Sequence, residues 1–512
     1  MHTPLPTPQE MARWDSMAIH EFGLRGEILM ENASRECLQV LKDRLGPLEG
    51  RTAVIFAGSG NNGGDAFALA RHLSDEGVKL LVLHTRKQAA YQGESAYHLG
   101  LAQKRNLTLF HLPEYNLDFL NHADILVDGL LGTGFEGELR QSYRGWITHI
   151  NRMAPHCFVL SIDIPSGLNG VTGRPCPTAV QADATVTFEE AKLGLLLPSA
   201  RPYVGDLLVR RIGIPRFIQE DHPPSHFALT ACCLDLIPDN PPDMHKGSAG
   251  HLLVVGGSTG LTGAPAFAAL GALRAGAGLV TVACPGGLST EIKAGWPEIM
   301  TLPLGGGREW TPDLLQELAP HLERFDALVL GPGLGRGEQA GRFVTALVQP
   351  SLPPLVLDAD GLYWLAKDDR LCSRLPRQSV LTPHPGEMAR ILERSTREVQ
   401  DDRFDAARAL CRTHGGVTVL KGAGTVITAP DQPDLLCPLA SPALAVGGTG
   451  DVLSGVIGRL LARGLSPLHA ACVGVYWHGS AGLLVERDYP HRGNLTREIA
   501  DALPLVLKET HT

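Results

Sequence analysis

Short apolar runs recur along the chain, and longer stretches with helical spacing of apolar residues separate them. Runs of this length predict buried strands, and the intervening stretches predict helices. Residues 1–50, which precede the first run, predict helix. Strands that alternate with helices favour parallel sheets covered by helices. The pattern therefore predicts an α/β protein, with strands at 52–58, 78–84, 123–132, 157–165 and 182–188, and again at 251–258, 278–285, 326–335, 354–362, 379–387 and 416–425.

The alternation lapses between residues 216 and 246, where the chain is polar and rich in proline. Such a stretch suits a connection between domains. We therefore predict a Rossmann-like, three-layer αβα domain over residues 1–218, a linker over 219–228 and a second α/β domain over 229–512.

Composition narrows the class of protein. The 512 residues are 44% hydrophobic and 19% charged, an ordinary globular balance. A formal net charge of −9 without a basic tract argues against general nucleic-acid binding. The ten cysteines form no CxxC pair, which favours reduced thiols in a cytoplasmic protein. Charged residues break the longer apolar runs, so no membrane span is expected.

A glycine-rich turn follows the first predicted strand. Residues 58–65, GSGNNGGD, join that strand to a helix predicted to start at Asp65. Glycines allow close approach of the backbone to an anion, and the amides of a helix start point at it. The glycines alone are equally compatible with a tight turn, and Asp65 with an N-cap. Two consecutive asparagines favour a ligand site, because a simple turn does not need their amides.

Two carboxylates lie at the ends of predicted strands. Asp128 and Asp163 each stand where a parallel strand gives way to a loop, and ligands of open α/β sheets bind at this edge. Either residue alone could be a loop cap; together they favour one shared site. Lys192 could contact a phosphate or be a solvated surface lysine.

Four motifs resemble the NAD(P)H-hydrate epimerase family over residues 9–215: GSGNNGGD (58–65), VDGLLGTG (127–134), SIDIPSG (161–167) and TFEEAKLG (187–194). The resemblance implies that Asp163 is the acid/base and that K⁺ binds near Asn62, Asp128 and Ser166. Ala66 stands where the family usually has glycine, with a small local effect expected. The implied substrate-binding residues are Asn61, Asn62, Gly63, Gly64, Asp65, Gly132, Thr133, Gly134, Phe135, Glu136, Gly137, Glu138, Asp163 and Lys192.

A second glycine-rich turn, GGTGDVLSG (447–455), leads into a helix predicted at Asp451. It would form an anion hole, and the Asp451 carboxylate could accept a proton from a hydroxyl that attacks a phosphoryl group. The alternative is a capped helix start in which Asp451 stabilises the helix dipole. The arrangement resembles the ribokinase-like superfamily.

The remaining motifs of the second half resemble the ADP/ATP-dependent NAD(P)H-hydrate dehydratases over residues 228–508; among them are LGPGLG (330–335), LTPHPGE (381–387) and LKGAGT (420–425). This chain departs from the family pattern at Ser441, at Val446 and in 478–484, and these departures bear on nucleotide preference. His384 would lie against the nicotinamide end of the substrate. The implied substrate contacts are Ala264, Gly333, His384 and Asp451, and the implied ADP contacts are Lys421, Gly422, Ala423, Gly424, Thr425, Gly447, Gly448, Thr449 and Gly450, with Mg²⁺.

These resemblances imply an epimerase fused to a dehydratase. The implied substrates are the hydrates of NADH and NADPH, called NADHX and NADPHX, with ADP as co-substrate. The resemblances also imply a homo-oligomer. The residues do not choose between ADP and ATP, or between NADHX and NADPHX. One alternative is a vitamin-type alcohol kinase of the ribokinase type. Another makes the N-terminal domain a silent binding module, against which the intact NNGGD, Asp128 and Asp163 argue.

Overall fold

The computed structural model describes residues 1–112, 122–135 and 137–510, with backbone only at Asp369 and Thr510. The chain divides into two compact units, Pro4–His226 and Phe227–Thr512, and the second unit also takes in Met1–Thr3. Strand β1 (His2–Pro4) thus extends the sheet of the C-terminal unit. Residues 219–228, expected as a linker, contain the end of one helix and the start of one strand.

The N-terminal unit is built on a seven-stranded parallel sheet. Its order, β4-β3-β2-β5-β6-β7-β8, is the 3-2-1-4-5-6 order of Rossmann folds with one added strand. The order reverses between β2 and β5, where such sheets bind ligands. The strands are β2 (Thr52–Ala57), β3 (Lys79–His84), β4 (Leu109–His111), β5 (Ile125–Gly129), β6 (Phe158–Ile162), β7 (Ala184–Phe188) and β8 (Asp206–Arg210), and the helices are α1 (Pro8–His20), α2 (Gly26–Leu45), α3 (Asn61–Asp75), α4 (Gly93–Lys104), α5 (Gln141–Met153), α6 (Arg201–Val204) and α7 (Arg216–Asp221).

Both faces of this sheet are buried. Alternate residues of β2 belong to different apolar clusters, with Ile55 in one and Phe56 in the other. Because successive side chains of a strand point to opposite faces, helices cover the sheet on both sides. The predicted three-layer αβα arrangement is confirmed.

The C-terminal unit contains an eleven-stranded sheet in the order β1-β9-β18-β17-β16-β15-β14-β13-β10-β11-β12. The strands from β10 to β16 pair in parallel, and β16, β17 and β18 pair antiparallel. The strands are β9 (His226–Leu229), β10 (His251–Val255), β11 (Leu279–Pro285), β12 (Met300–Leu304), β13 (Ala327–Leu330), β14 (Leu355–Leu357), β15 (Ser379–Leu381), β16 (Val417–Leu420), β17 (Thr425–Thr428) and β18 (Asp434–Cys437).

Helices cover this second sheet, and two of them, α16 and α17, are largely buried. The helices are α8 (Gly263–Arg274), α9 (Ser289–Lys293), α10 (Leu314–Leu318), α11 (Glu338–Leu347), α12 (Asp360–Leu365), α13 (Pro385–Ile391), α14 (Thr396–Asp401), α15 (Arg403–His414), α16 (Thr449–Ala462), α17 (Pro467–Asp488) and α18 (Thr496–Thr510). None of the helices in the described ranges is both long and apolar enough to cross a membrane.

Glycines allow α8 and α16 to pack backbone against backbone. A Cβ on Gly455 would lie 1.9 Å from the carbonyl oxygen of Ala268, and one on Gly271 would lie 2.4 Å from that of Val452. Gly455→Ala must therefore push the helices apart, and we expect the free energy of unfolding to fall by about 1–3 kcal/mol. Thermal unfolding measures the loss.

The matched control is Gly263→Ala, an exposed position at the start of α8 where the nearest atom to an added Cβ is 3.9 Å away. Its thermal midpoint should equal that of the parent chain. Equal midpoints for both variants would contradict the close helix packing.

Candidate functional sites

The first glycine turn is the start of α3. Helix α3 begins at Asn61, with Gly60 as N-cap, so Asp65 lies beyond the first turn and the N-cap interpretation of Asp65 is wrong. An added Cβ on Gly63 would lie 1.9 Å from the Gly58 carbonyl oxygen, and one on Gly58 would lie 1.9 Å from that of Leu130. The turn is thus wedged between the ends of β2 and β5.

A cavity of about 790 Å³ opens over this turn. Helices α1 and α2, Glu94 of α4, and residues at or beyond the ends of β5, β6, β7 and β8 complete its wall. Gly63, Gly64, Gly137 and Glu138 lie outside its lining, and Glu136 falls outside the described residues. The residues expected at the substrate that line the cavity are Asn61, Asn62, Asp65, Gly132, Thr133, Gly134, Phe135, Asp163 and Lys192.

Asp163 and Lys192 form an ion pair at the floor of the cavity. The Lys192 ammonium lies 2.5 Å from Asp163 Oδ1, and it also donates to Thr187 Oγ1 and to the Phe188 carbonyl oxygen. Lys192 is 1% exposed, so it is not a solvated surface lysine. Burial is tolerated because the charge is paired and every donor direction is used. Asp163 sits directly after β6 with φ of +63°, a strained backbone of the kind often found at functional positions.

Three further carboxyl groups, those of Asp15, Asp65 and Glu94, line the same cavity. Burial, with the neighbouring Asp163 and Asp15, raises the pKa of Asp65 well above its ordinary value. Burial also raises the pKa of Asp15 to about 6, with Lys192 acting in the opposite direction. Asp15 was not predicted as a site residue, because α1 lies far from the glycine motifs along the chain.

Asn62, Asp128 and Ser166 are brought together beneath the cavity. The Ser166 hydroxyl faces two acceptors. Its oxygen lies 2.5 Å from Asp128 Oδ1 and 3.3 Å from the Leu131 carbonyl oxygen. The Asn62 amide donates to the same carbonyl at 2.8 Å. Asp128 is fully buried; burial raises its pKa, and hydrogen bonds from Ser166, Leu130 and Ser161 oppose the rise.

Ala66, which replaces a glycine of the family, is fully buried against β5. A Cβ on Gly129 would lie 2.7 Å from the Ala66 methyl carbon. The methyl group therefore fills space beside Gly129, away from the cavity lining.

In the C-terminal unit the second glycine turn leads into α16. The helix begins at Thr449 rather than at the predicted Asp451, and Gly448 is its N-cap with φ of +97°. An added Cβ on Gly448 would lie 2.8 Å from the Phe267 ring, so side chains are excluded there. The Thr449 hydroxyl donates to the carbonyl oxygens of Leu444 and Val446, which fixes the turn. Asp451 lies in the first helical turn.

Lys421 points at this turn from the end of β16. Its ammonium lies 2.7 Å from Asp358 Oδ1 and would be 3.3 Å from a Cβ on Gly450. Burial lowers the pKa of Lys421, but the carboxylates of Asp358 and Glu387 outweigh it and raise the pKa overall. Lys421 is thus a half-buried, paired cation rather than a plain surface charge.

Arg403 holds the loop that carries Lys421. Its guanidinium donates to the carbonyl oxygens of Leu420, Lys421 and Gly424 at 2.9, 3.2 and 3.2 Å. The loop closes on itself through Thr425, whose hydroxyl donates to the Gly422 carbonyl oxygen, and Ala423 stands exposed at its tip. Arg403 was not predicted, because helix α15 separates it from the loop along the chain.

Acidic side chains surround the Lys421 ammonium. Burial raises the pKa of Asp451 to about 8. The nearby Asp358 carboxylate adds to this rise, and the Lys421 ammonium opposes it. Burial raises the pKa of Glu387 to about 7. Asp360 accepts from the Gly335 amide and the Arg336 guanidinium. Asp358, Asp360 and Glu387 were not predicted.

The other predicted residues of this unit, His384, Gly333 and Ala264, come from three separate segments. His384 is the N-cap of α13, and its Nδ1 accepts from the amides of Gly386 and Glu387. Burial and the Lys421 charge lower the pKa of the His384 imidazole. Gly333 has φ of +60°, and a Cβ there would lie 3.1 Å from the methyl carbon of Ala264.

The departures from the family pattern have local roles. The Ser441 hydroxyl donates to the Gly482 carbonyl oxygen and accepts from the Ala443 amide. Val446 contributes its carbonyl oxygen to the Thr449 hydroxyl. Gly447 is likewise held through its carbonyl oxygen, by Thr496.

Family comparisons cover both units. Residues 26–194 match the family described as YjeF-related protein N-terminus, and residues 252–505 match the family described as NAD(P)H-hydrate dehydratase. The bifunctional NAD(P)H-hydrate repair enzyme Nnr of Moorella thermoacetica is 37% identical, over 98% of this chain and 96% of its own length. The Escherichia coli enzyme of the same name is 35% identical, over 97% of this chain and 93% of its own.

Among solved structures, the chain is similar to the ADP/ATP-dependent NAD(P)H-hydrate dehydratase of Bacillus subtilis co-crystallised with ATP and Mg²⁺. The two are 30% identical with a TM-score of 0.45, over 54% of this chain and 95% of that one.

Proposed function

Because the chain belongs to the family of bifunctional NAD(P)H-hydrate repair enzymes, we propose that its N-terminal unit epimerises the R and S hydrates of NADH and NADPH. The C-terminal unit dehydrates the S hydrate to NAD(P)H and converts ADP to AMP and phosphate. The observation that carries the proposal is the pairing of an anion-binding glycine turn with buried carboxyl and lysine groups in each unit. The substrates, the nucleotide and the roles of individual residues are part of the same proposal.

In the epimerase cavity, Asp163 is placed to move a proton at the substrate hydroxyl. The hydrate carries this hydroxyl on the ring carbon next to the ring nitrogen, so the C–O bond opens readily once its oxygen is protonated. Lys192, held on Asp163 at 2.5 Å, keeps that carboxyl group positioned. The amides at the start of α3 suit the pyrophosphate of the dinucleotide.

The residues beneath this cavity fit K⁺. Ser166 Oγ lies 2.5 Å from the Asp128 carboxylate and 3.3 Å from the carbonyl oxygen of Leu131, and a hard cation prefers such oxygens. Asn62, whose amide contacts Leu131 and Ile162, would complete the set through its own oxygen. Bound K⁺ would neutralise the buried Asp128 and fix the loop after β5.

In the C-terminal unit, Asp451 is placed as a general base. Its carboxylate would accept the proton of the substrate hydroxyl while the hydroxyl oxygen attacks the terminal phosphorus of ADP. The amides of residues 447–450 and the Lys421 ammonium suit the phosphate oxygens. The hydroxyl itself is a poor leaving group; once phosphorylated it departs as phosphate with its electron pair, a neighbouring ring proton is lost, and the dihydronicotinamide is restored.

Mg²⁺ fits the carboxylates beside Lys421. Asp358 and Glu387 offer hard oxygens. Within the described ranges, no group of three or more acidic, histidine or cysteine residues is arranged to hold a metal. That donor set matches Mg²⁺, which is usually held by one or two carboxylates together with phosphates and waters. The ion would neutralise charge that develops on the phosphoryl oxygens.

The competing function is a small-molecule kinase with a non-catalytic N-terminal domain. Both functions need Asp451 and the glycine turn. They differ in product, because a kinase releases a phosphorylated alcohol and a dehydratase releases NAD(P)H with inorganic phosphate. The ion pair of Lys192 with Asp163 in a large cavity argues against a silent N-terminal unit.

The proposal is tested by a progress curve on a mixture of R and S NADH hydrates with ADP, Mg²⁺ and K⁺. We expect reduced-nicotinamide absorbance to recover for the whole hydrate pool, faster than spontaneous epimerisation allows. Recovery that stops at the S fraction would contradict the epimerase assignment. No recovery with ADP or ATP, together with phosphorylation of a vitamin-type alcohol, would favour the kinase.

A further inference from the structure

One face of α1 forms a wall of the epimerase cavity. Met11, Ala12, Asp15, Ser16 and Ile19 line it, a spacing that places them along one side of a helix. Asp15 is at the centre of this face and is the one ionisable residue on it. Its carboxyl group therefore faces the cavity from a different element than Asp163, which follows β6.

The charges in the cavity leave Asp15 unpaired. The Lys192 ammonium is bound to Asp163, which also accepts from the Thr187 hydroxyl at 3.2 Å. Within the described residues, Asp15 makes no hydrogen bond or ion pair, although it is half-buried. The cavity thus holds one carboxylate paired with lysine and one carboxyl group that lacks a partner.

The surroundings of Asp15 suit proton exchange near neutral pH. Burial raises its pKa to about 6; Lys192 opposes the rise, and Asp163 and Glu189 add to it. Asp65, whose own pKa is raised partly by Asp15, and Glu94 line the same cavity. A general acid or base works best when its pKa lies near the working pH.

We propose that Asp15 is a second proton-transfer group of the epimerisation, acting on the face of the substrate ring turned toward α1, while Asp163 acts on the other face. This inference rests on the proposed epimerase function. Inversion at one carbon requires the hydroxyl to leave from one face and water to enter from the other. A single carboxyl group at the end of β6 serves one of these faces.

The inversion needs only the two carboxyl groups and water. One carboxylic acid gives its proton to the hydroxyl, the C–O bond breaks with its electron pair on oxygen, and water leaves. The ring-nitrogen lone pair forms a C=N⁺ bond with the carbon. A water on the opposite face then adds to that carbon, the C=N⁺ electrons return to nitrogen, and the other carboxylate takes the released proton. The two carboxyl groups exchange protonation states, and solvent resets them, since Asp15 is partly exposed.

The test uses the full chain and hydrates labelled with ¹⁸O at the hydroxyl, followed by chromatography and mass spectrometry. The parent chain should lose label from both epimers as they interconvert. Asp15→Asn should slow interconversion at least about 100-fold. It should still exchange the label of one epimer with solvent, with configuration retained, because Asp163 can release and return water on its own face. Asp15→Glu should restore part of the interconversion.

Asp43→Asn is the matched control, since Asp43 is an exposed carboxylate of α2 whose one hydrogen bond within the described residues comes from Gln39. Unchanged interconversion in Asp15→Asn would overturn the inference, as would equal loss of label exchange in both epimers, which a merely structural role produces. Absence of interconversion in the parent chain would instead overturn the proposed function. Dehydration of S hydrate in every variant reports that the C-terminal unit is folded, and the retained label exchange of one epimer reports that the N-terminal unit is folded.

Discussion

Replacement of Asp451 by asparagine is expected to reduce the turnover of S-hydrate dehydration by about 10²–10⁴-fold and to leave epimerisation unchanged. Asparagine keeps the shape of the side chain but cannot accept the hydroxyl proton. The glycine turn and Lys421 are untouched, so ADP binding should persist. Single-turnover formation of NADH from S hydrate measures the loss, and interconversion of the epimers measures the function of the other unit.

The same substitution should stabilise the fold. The pKa of Asp451 is raised to about 8 in the folded chain, while an unfolded aspartate has a pKa of about 4. Between these values the folded state binds the extra proton, so the parent chain loses stability as pH rises from about 4 to about 8. Asparagine has no proton to lose. The variant should therefore unfold at a higher temperature than the parent near pH 8, with the difference vanishing below about pH 4.

Asp313→Asn is the matched control, because Asp313 is an exposed carboxylate of the same unit. Its activity and its pH dependence of unfolding should follow the parent. Dehydration that survives in Asp451→Asn would refute the general-base role. Loss of both activities in a folded Asp451→Asn protein would refute two independent sites.

The buried parallel strands could be predicted because they read as uninterrupted apolar runs. Ile125–Gly129 and Phe158–Ile162 are buried on both faces, which permits no alternation with polar residues. Strands at the margins of the sheets escaped prediction. β8, Asp206–Arg210, is an edge strand with exposed positions, and β12, Met300–Leu304, contains a proline.

The starts of the two functional helices were placed too late, at Asp65 and Asp451. Local propensity disfavours glycine inside a helix, so Gly63 and Gly450 were assigned to turns. The structure uses these glycines inside the first helical turn, where a side chain on Gly63 would collide with the Gly58 carbonyl oxygen. The position of each helix start therefore depends on backbone packing between elements. The helix propensities of individual residues carry no information about that packing.

The candidate sites were predicted only where residues belong to a motif. Asp163 and Asp451 follow strands or glycine turns, which mark the ligand edge of an α/β sheet. Asp15 comes from α1 and reaches its site through folding alone. Asp358 directly follows β14, so the same edge of the sheet could have indicated it, but it stands outside the motifs that carried the prediction. Their chemistry is defined by neighbours: Lys192 and Asp163 for the former, Lys421 for the latter.

Asp163→Asn is expected to lower epimerisation by about 10²–10⁴-fold and also to destabilise the N-terminal unit. The variant leaves the Lys192 ammonium, 1% exposed, with charge-neutral acceptors alone: the introduced amide oxygen, the Thr187 hydroxyl and the Phe188 carbonyl oxygen. A buried charge that loses its counter-ion costs about 3–5 kcal/mol. Denaturant unfolding measures this cost, and S-hydrate dehydration in the same preparation reports the other unit.

The double variant Asp163→Asn/Lys192→Met separates the two effects. Removing both charges removes the unpaired ammonium, so stability should return toward that of the parent chain while epimerisation stays lost. Lys192→Met alone should cost less stability than Asp163→Asn, because a carboxyl group that loses its cation can take up a proton, whereas a lysine must shed one far below its ordinary pKa. Recovery of epimerisation in the double variant would show that Asp163 does not transfer the proton and that the single variant fails because of its unpaired Lys192 ammonium.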